Sequence, residues 1–483
     1  MTPKDNNFYI TTTLPYINSD PHIGFAAEII KADVIARYQA QRGNSVFFNT
    51  GTDEHGLKIY QKAQEMKLDV QDFCNQYSEK FRPLREKLNL SYSKFIRTTD
   101  PEHKAAAQKF WQLCEANGDI YKKLYKVKYC VGCEMEKTDS ELVGGFCPLH
   151  PGAKLEVIEE ENYFFRFSKY QTALLDLYNS RPDFVIPTGR HKEIKAFVES
   201  GLQDFSISRL KEKMPHGVPV PGDDNQVMYV WFDALVNYIS TLGWPDDKNG
   251  DFKRFWPGLQ VCGKDNLRPQ AAMWQAMLLS AGLEPSRQIL VFGFLTANGQ
   301  KISKSSGNTV DPYELSDKYG SDAVRYYLLA EIPPFEDGDY SELKFQERYN
   351  ADLANGLGNL AARVSALLEK NSIPTNLSVN ISDPGITETV TKFNEAMNNY
   401  KLNEALHIVW DKIKQCDLTL SADAPWKMTD LEMITKSLKP LAQDILNIAF
   451  LLEPFVPKSA GKIISQYQTA QIRKQEALFP RLS

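Results

Sequence analysis

The chain of 483 residues contains no apolar run of membrane-spanning length, and its first residues, MTPKDNNFYITT, hold neither an apolar signal core nor an Arg/Ser-rich amphipathic leader. These absences exclude a helical membrane anchor and predict a cytosolic address. Cysteine is scarce: of seven, at 74, 114, 130, 133, 147, 262 and 416, only three cluster. That pattern excludes a disulfide framework and leaves reduced thiols with one metal site. Positive charge is not in excess either. A net charge of −5 gives no global field for nucleic acid, so any RNA contact falls to local patches or individual side chains. No G-x-x-x-x-G-K-[ST] occurs and no G-x-G-x-x-G follows the first strand, which disfavours P-loop and dinucleotide folds. Internal repeats and low-complexity tracts are missing as well.

What the chain does have is length for two to four domains and 42% hydrophobic residues to fill them. From Phe8 to Gly118 strands alternate with helices: FYITT and SVFFNT read as strands around a helical stretch from Gly24 to Tyr38, closed by Gly43. This is a βαβ opening. Residues 119–225 form a Gly/Pro-punctuated region that reads as an insertion. Alternation resumes at VMYVWFDALVNYIS, GLQVCG and QILVFGFL, so one parallel-sheet domain is expected to span 1–118 and 226–295. After a loop-containing stretch, 296–349, long helical patterns such as LKPLAQDILNIAFLLEPF predict an all-α bundle over 350–483.

Two short runs carry the chemistry. In TTTLPYINSDPHIGF, Asp20 reads as an N-cap and Pro21 as the first helical position, so His22 falls in a first turn whose unpaired N–H groups favour anions. Gly24 lets a flat base approach the backbone there. Far downstream, Lys301-Ile302-Ser303-Lys304-Ser305 lies between Asn298-Gly299 and Asp311-Pro312, placing Lys301 and Lys304 on a Gly-flanked loop. Two ammonium groups on such a loop can close over a polyphosphate and offset charge on departing pyrophosphate. Between the runs, Cys130-Val-Gly-Cys133 and Cys147-Pro-Leu-His150 form paired knuckles around Gly144-Gly145. Three thiolates and one imidazole at this spacing suit a closed, structural Zn²⁺ site with no open position for substrate.

Together these motifs resemble the methionyl-tRNA synthetases, class I aminoacyl-tRNA synthetases, in their short single-zinc bacterial form. The likeness runs through nearly the whole chain. It implies a Rossmann-like parallel-sheet catalytic domain, an inserted zinc-knuckle connective domain and an all-α anticodon-binding bundle. It also implies ATP-dependent conversion of methionine to methionyl-adenylate and transfer to tRNA, with Mg²⁺ accompanying ATP. By the resemblance His22, Lys301 and Lys304 are catalytic, and with Gly24, Gly263 and Leu295 they bind ATP. Leu14, Tyr16, Asp53, Trp231, Leu235, Tyr238 and Gln270 correspond to the methionine site, with Asp53 receiving the ammonium. Asn359, Arg363 and Trp426 correspond to the anticodon readers. Cys130, Cys133, Cys147 and His150 correspond to the zinc ligands.

Three positions depart from the family pattern: Phe25 and Phe292 stand where histidine is frequent, and so does Gln270. Phe25 leaves open a non-catalytic tRNA-binding paralogue, beside another class I synthetase as the enzymatic alternative. The chain stops soon after the bundle, at Ser483, which favours a monomer.

Overall fold

A computed structural model describes residues 6–132, 135–137, 142–150, 155–297, 299–301 and 309–482. Its centre is a six-stranded parallel sheet built from β1 (Asn7–Thr11), β2 (Ser45–Thr52), β3 (Lys94–Arg97) and the strands Val185–Ile186, Leu259–Gly263 and Gln288–Phe292. Their spatial order is β3, β2, β1, Leu259–Gly263, Gln288–Phe292, Val185–Ile186. β1 is apolar and buried along both faces, as a central parallel strand must be. Its two neighbours lie far apart in sequence, so the strand order reverses beside β1. The crevice at its C-terminal end is the place where open α/β sheets bind ligands.

Helix α1 (Ile23–Gln41) crosses from β1 to β2. Its alanines favour the helix, its isoleucines are held in it by packing, and most of its residues are buried because sheet and other helices cover it from several sides. Gly43, in the left-handed region at φ 86°, closes it. The structure moves the helix start from its expected place: His22, in extended conformation, is the N-cap and Ile23 the first helical residue, not Asp20 and Pro21. The imidazole Nδ1 takes the capping role expected of the Asp20 carboxylate by accepting from Gly24 N–H at 3.1 Å.

Residues 119–225 do not stand apart as a block. Ile120–Cys130 and Glu156–Phe165 form a long antiparallel pair, flanked by Met135–Lys137 and Phe205–Ser206. Val185–Ile186, inside the same stretch, instead joins the parallel sheet beside Gln288–Phe292. QILVFGFL is likewise divided: one strand ends at Phe292 and another, Leu295–Ala297, pairs with Gln300–Lys301 and Gly338–Tyr340. Gly293 makes the break. A Cβ there would stand 1.9 Å from the Glu336 carbonyl oxygen.

The C-terminal region is helical, with Asn359–Lys370, Thr387–Asn398, Leu402–Asp423, Leu431–Leu452 and Pro457–Tyr467 packed on one another. Its core is continuous with that of α1. At the junction Arg325, on the helix Ser321–Ala330, pairs with Asp33 of α1 at 2.7 Å and donates to the carbonyls of Phe455 and Pro454 at 2.8 and 2.7 Å. Burial alone would raise the Asp33 carboxyl, but Arg325 and Arg37 hold it below the usual range. Among the described residues no helix is long and apolar enough to cross a membrane.

Candidate active site

The crevice is built from three chain segments meeting at the C-terminal end of β1. The loop after β1 carries Thr13, Leu14 and Tyr16, and Tyr16 pairs as an isolated bridge with Asp53 just beyond β2. Asp53 N–H donates to the Pro15 carbonyl at 3.0 Å, so the carboxylate is anchored by its own backbone. It is 5% exposed, and Thr98 Oγ1 donates to it at 3.4 Å.

The opposite wall comes from helix Val230–Ala234 and the turn after it. Trp231 and Tyr16 pack against the small cluster of Tyr229, Val230 and Ala234 at the rim. Leu235 and Tyr238 are buried behind them. The Gln270 side-chain amide, also buried, donates to the Tyr238 hydroxyl. Thus Leu14, Tyr16 and Trp231 are partly exposed at the open side, whereas Asp53, Leu235, Tyr238 and Gln270 are buried behind them.

This wall is fixed by a cluster that the motifs did not reveal. Asp233, fully buried, accepts from His55 at 2.6 Å and from His103 at 2.8 Å, while the other His103 nitrogen meets Ser240 Oγ at 2.9 Å. Burial alone would raise the Asp233 carboxyl, but the two imidazoles hold it far below the ordinary carboxylate range. His216 lies beside His55 with ring centres 5.0 Å apart, and burial followed by the neighbouring His55 lowers it to about 4. Glu54 completes the setting: Arg97 clamps it through two nitrogens, at 2.7 and 2.8 Å.

At the other end of the crevice, His22 caps α1. With Nδ1 accepting from Gly24, the ring proton of the neutral imidazole sits on Nε2, which can donate to an anion. The glycine has a reason beyond approach of a base, because a Cβ at Gly24 would stand 3.0 Å from the His22 ring. Phe25 packs edge-on against Phe81, centres 5.8 Å apart, and so faces the core. Gly263 ends its strand with two carboxylates above it: a Cβ there would meet Asp265 Oδ1 at 2.9 Å, Phe294 at 3.5 Å and Glu28 Oε2 at 4.0 Å. Glu28 Oε1 accepts from Thr13 N–H and Oγ1 at 3.2 and 2.5 Å. Leu295, half-buried, opens the next strand. Glu28 was not singled out from the sequence, although a lone acid within GFAAEII is the signal that marks it.

Lys301 ends the hairpin Leu295–Ala297/Gln300–Lys301, which Gly299 turns at φ 73°. Lys304 lies outside the described residues.

In the knuckle, Cys130 and Cys147 are buried and His150 is partly so. The two Sγ atoms and one imidazole nitrogen lie within 4.8 Å of one another, with Nδ1 at 3.9 Å from each sulfur. Cys133 lies outside the described residues. A metal–ligand length of 2.0–2.3 Å places tetrahedral donors about 3.5–3.8 Å apart, so this set can hold a zinc-sized ion. Gly132 lies under the imidazole, where a Cβ would stand 2.5 Å from the ring, and its carbonyl accepts from Lys58 at 2.8 Å. That bond ties the knuckle to the segment following β2.

On the helical bundle, Arg363 donates to Asp417 at 2.6 Å and lies 5.4 Å from the Trp426 ring centre. Trp426 is 43% exposed rather than buried between helices, the placement an isolated tryptophan would suggest. Asn359 is exposed one turn before Arg363. These residues lie on a part of the chain separate from the crevice.

The family described as tRNA synthetases class I (M) matches residues 8–154 and 149–365. The methionine–tRNA ligase of Mesorhizobium japonicum is 43% identical over 469 residues, covering 95% of this chain and 90% of that protein. The Thermotoga maritima methionine–tRNA ligase is 40% identical over 488 residues, covering 98% and 77%. Among solved structures, Mycobacterium tuberculosis methionyl-tRNA synthetase in complex with methionyl-adenylate superposes with a TM-score of 0.89 at 36% identity, over 98% of both chains. Its apo form gives 0.85 at 33% identity, over 100% of this chain and 99% of that one. The chain therefore belongs to the methionyl-tRNA synthetase family of class I aminoacyl-tRNA synthetases.

Proposed function

We propose that the crevice at the end of β1 binds methionine and ATP side by side, and that the protein activates methionine and charges tRNA as a methionine–tRNA ligase. The observation that carries the assignment of residues is the placement of Asp53, Trp231 and Tyr238 at one end of the crevice and His22, Gly24 and Gly263 at the other.

Methionine enters with its ammonium toward Asp53 and its thioether toward Tyr238, between Leu14, Tyr16, Trp231 and Leu235. Aromatic and aliphatic walls suit polarizable sulfur. Gln270 donates to the Tyr238 oxygen, which leaves the phenol proton directed elsewhere, toward a weak acceptor such as sulfur. ATP lies over Gly24 and Gly263, with its ribose hydroxyls toward Glu28 and Asp265 and its adenine toward Leu295. The methionine carboxylate oxygen attacks the α-phosphorus, the bond from that phosphorus to the bridging oxygen breaks, and pyrophosphate leaves. His22 Nε2–H, Lys301 and Lys304 stabilise the charge on the phosphoryl oxygens, a charge that Mg²⁺ brought in with ATP would share. The terminal adenosine hydroxyl of tRNA then attacks the acyl carbon and AMP departs. No protein nucleophile takes part.

Cys130, Cys133, Cys147 and His150 would hold one structural Zn²⁺. The ion supplies cross-linking of the insertion and no chemistry to the reaction. Asn359, Arg363 and Trp426 meet the anticodon: the indole plane offers a stacking surface, and Arg363, held by Asp417, offers hydrogen-bond donors to base edges.

The test is amino-acid-dependent ATP–pyrophosphate exchange with each of the twenty amino acids. Exchange with methionine is expected. Exchange with a different amino acid alone would select a sibling synthetase, and none, with tRNA still bound, would select a binding paralogue.

A further inference from the structure

Lys31 lies nine residues beyond His22, on the same helix, and is 3% exposed. An ammonium on a side chain this deeply buried normally has a carboxylate or carbonyl within reach. This one makes no hydrogen bond and no ion pair among the described residues. Its Nζ stands 4.8 Å from the centre of the Phe292 ring, an aromatic face that attracts a cation but supplies no lone pair. The charge it does feel is that of Glu28, one helical turn earlier.

Phe292 is the register partner of Gly263 across the sheet. Lys31 is therefore seated beneath the point where Glu28 and Asp265 converge. Two carboxylates above one glycine repel each other, and without a cation one of them would keep its proton near neutral pH. The groups facing Glu28 are Asp265 from the turn after Gly263, Cys262 from that strand, Tyr238 from the pocket floor and Lys31 from its own helix. Lys31 alone of these is cationic. Burial, with Asp265 adding to it, raises Glu28 to about 7 against the hydrogen bonds from Thr13 and the smaller pull of Lys31. Burial lowers Lys31 to about 8 against the pull of Glu28.

We propose that Lys31 is a positioning residue of the nucleotide site: seated on Phe292, its ammonium raises the share of Glu28 that is ionised, so that Glu28 and Asp265 can both accept hydrogen bonds from the ribose of ATP. This rests on the reading that ATP occupies the crevice over Gly263. It also gives Phe292 a purpose, since the ring bears the ammonium without competing for its charge, which a protonated histidine would repel. Lys31 acts through Glu28 and touches no substrate.

The experiment uses the full chain and methionine-dependent ATP–pyrophosphate exchange at saturating methionine, with ATP varied between about pH 6 and 9. Lys31→Met, similar in length and uncharged, should raise the KM for ATP by about two- to threefold near neutrality, because the competent ionised fraction of Glu28 falls. The excess over wild type should shrink as pH rises. Taking the ratio to wild type removes the titration of ATP itself, and the effect should fall on the KM for ATP far more than on kcat or the KM for methionine. Glu28→Gln should flatten the pH dependence of the KM for ATP in the otherwise wild-type protein. Adding Lys31→Met to it should change little more. An unchanged KM for ATP in Lys31→Met, or a rise equal at every pH, would overturn the proposal. So would an unaltered pH profile in Glu28→Gln, which tests the idea even if Lys31→Met does not fold. Failure of wild-type protein to exchange with methionine would overturn the functional reading itself, a separable outcome.

Discussion

Removing the carboxylate of Asp233 should both destabilise the catalytic core and loosen its grip on methionine. Asp233 is fully buried and receives two hydrogen bonds, from His55 on the segment after β2 and from His103 on the helix Pro101–Ala116. Hydrogen bonds to a charged group contribute about 1.5–3 kcal/mol each, and deleting one partner of a buried polar cluster costs about 3–5 kcal/mol because the survivors stay desolvated. Asp233→Ala should therefore lose about 3–5 kcal/mol, read from urea unfolding by tryptophan fluorescence. Asp233→Asn, which keeps one acceptor oxygen and sets an amide N–H₂ against the other imidazole, should lose roughly half as much.

The same substitution should raise the KM for methionine, because His55 is two residues from Asp53 while Asp233 lies between Trp231 and Tyr238. The sign with pH is also fixed. A carboxyl held well below its ordinary value contributes stability that is present above the unfolded value near pH 4 and lost as pH falls below it. The gap between wild type and Asp233→Ala should thus narrow in acid. An alanine variant with wild-type urea midpoint and wild-type KM for methionine would refute the reasoning.

Lys304→Ala should cut ATP–pyrophosphate exchange by at least about a hundredfold while changing methionine affinity little; equal loss of both would assign the residue to folding. Metal analysis should find one zinc per chain, and Cys147→Ser should lower that content and open the 120–165 region to protease before the parallel sheet; a metal-free, equally protected wild-type protein would exclude the site. Trp426→Ala should weaken tRNA charging by about 1–3 kcal/mol in kcat/KM, leaving exchange intact; a matching loss of exchange would mean that the indole supports the fold rather than the anticodon.

The βαβ opening and the helical bundle were legible because their apolar periodicities are long: FYITT is buried on both faces, and α1 carries its isoleucines and alanines at helical spacing. Val185–Ile186 was not legible. Two paired residues have no periodicity, and only the edge of Gln288–Phe292 makes them a strand. The helix start was misplaced by two residues because Asp20-Pro21 is the stronger local signal, yet the imidazole of His22 wins through a bond to Gly24 that composition does not encode. Glu28 and Lys31 show a different limit. Their i, i+3 spacing resembles an ordinary solvated pair, and only the sheet packed above them reveals that both are held at a buried crevice. The Asp233 cluster joins residues up to 178 positions apart, a distance no local pattern spans.

The Asp33–Arg325 contact bears on how the protein can be divided. Arg325 is fully buried and takes its remaining partners from Leu88, Asn89, Pro454 and Phe455, so the sheet domain and the end of the bundle share one guanidinium. A fragment cut before the bundle would leave that guanidinium facing Asp33 with two carbonyls missing and a broad apolar face of α1 and its neighbours in water. The sheet half is thus not a portable module: grafting a different helical domain onto it would require a substitute for the backbone turn at Pro454-Phe455.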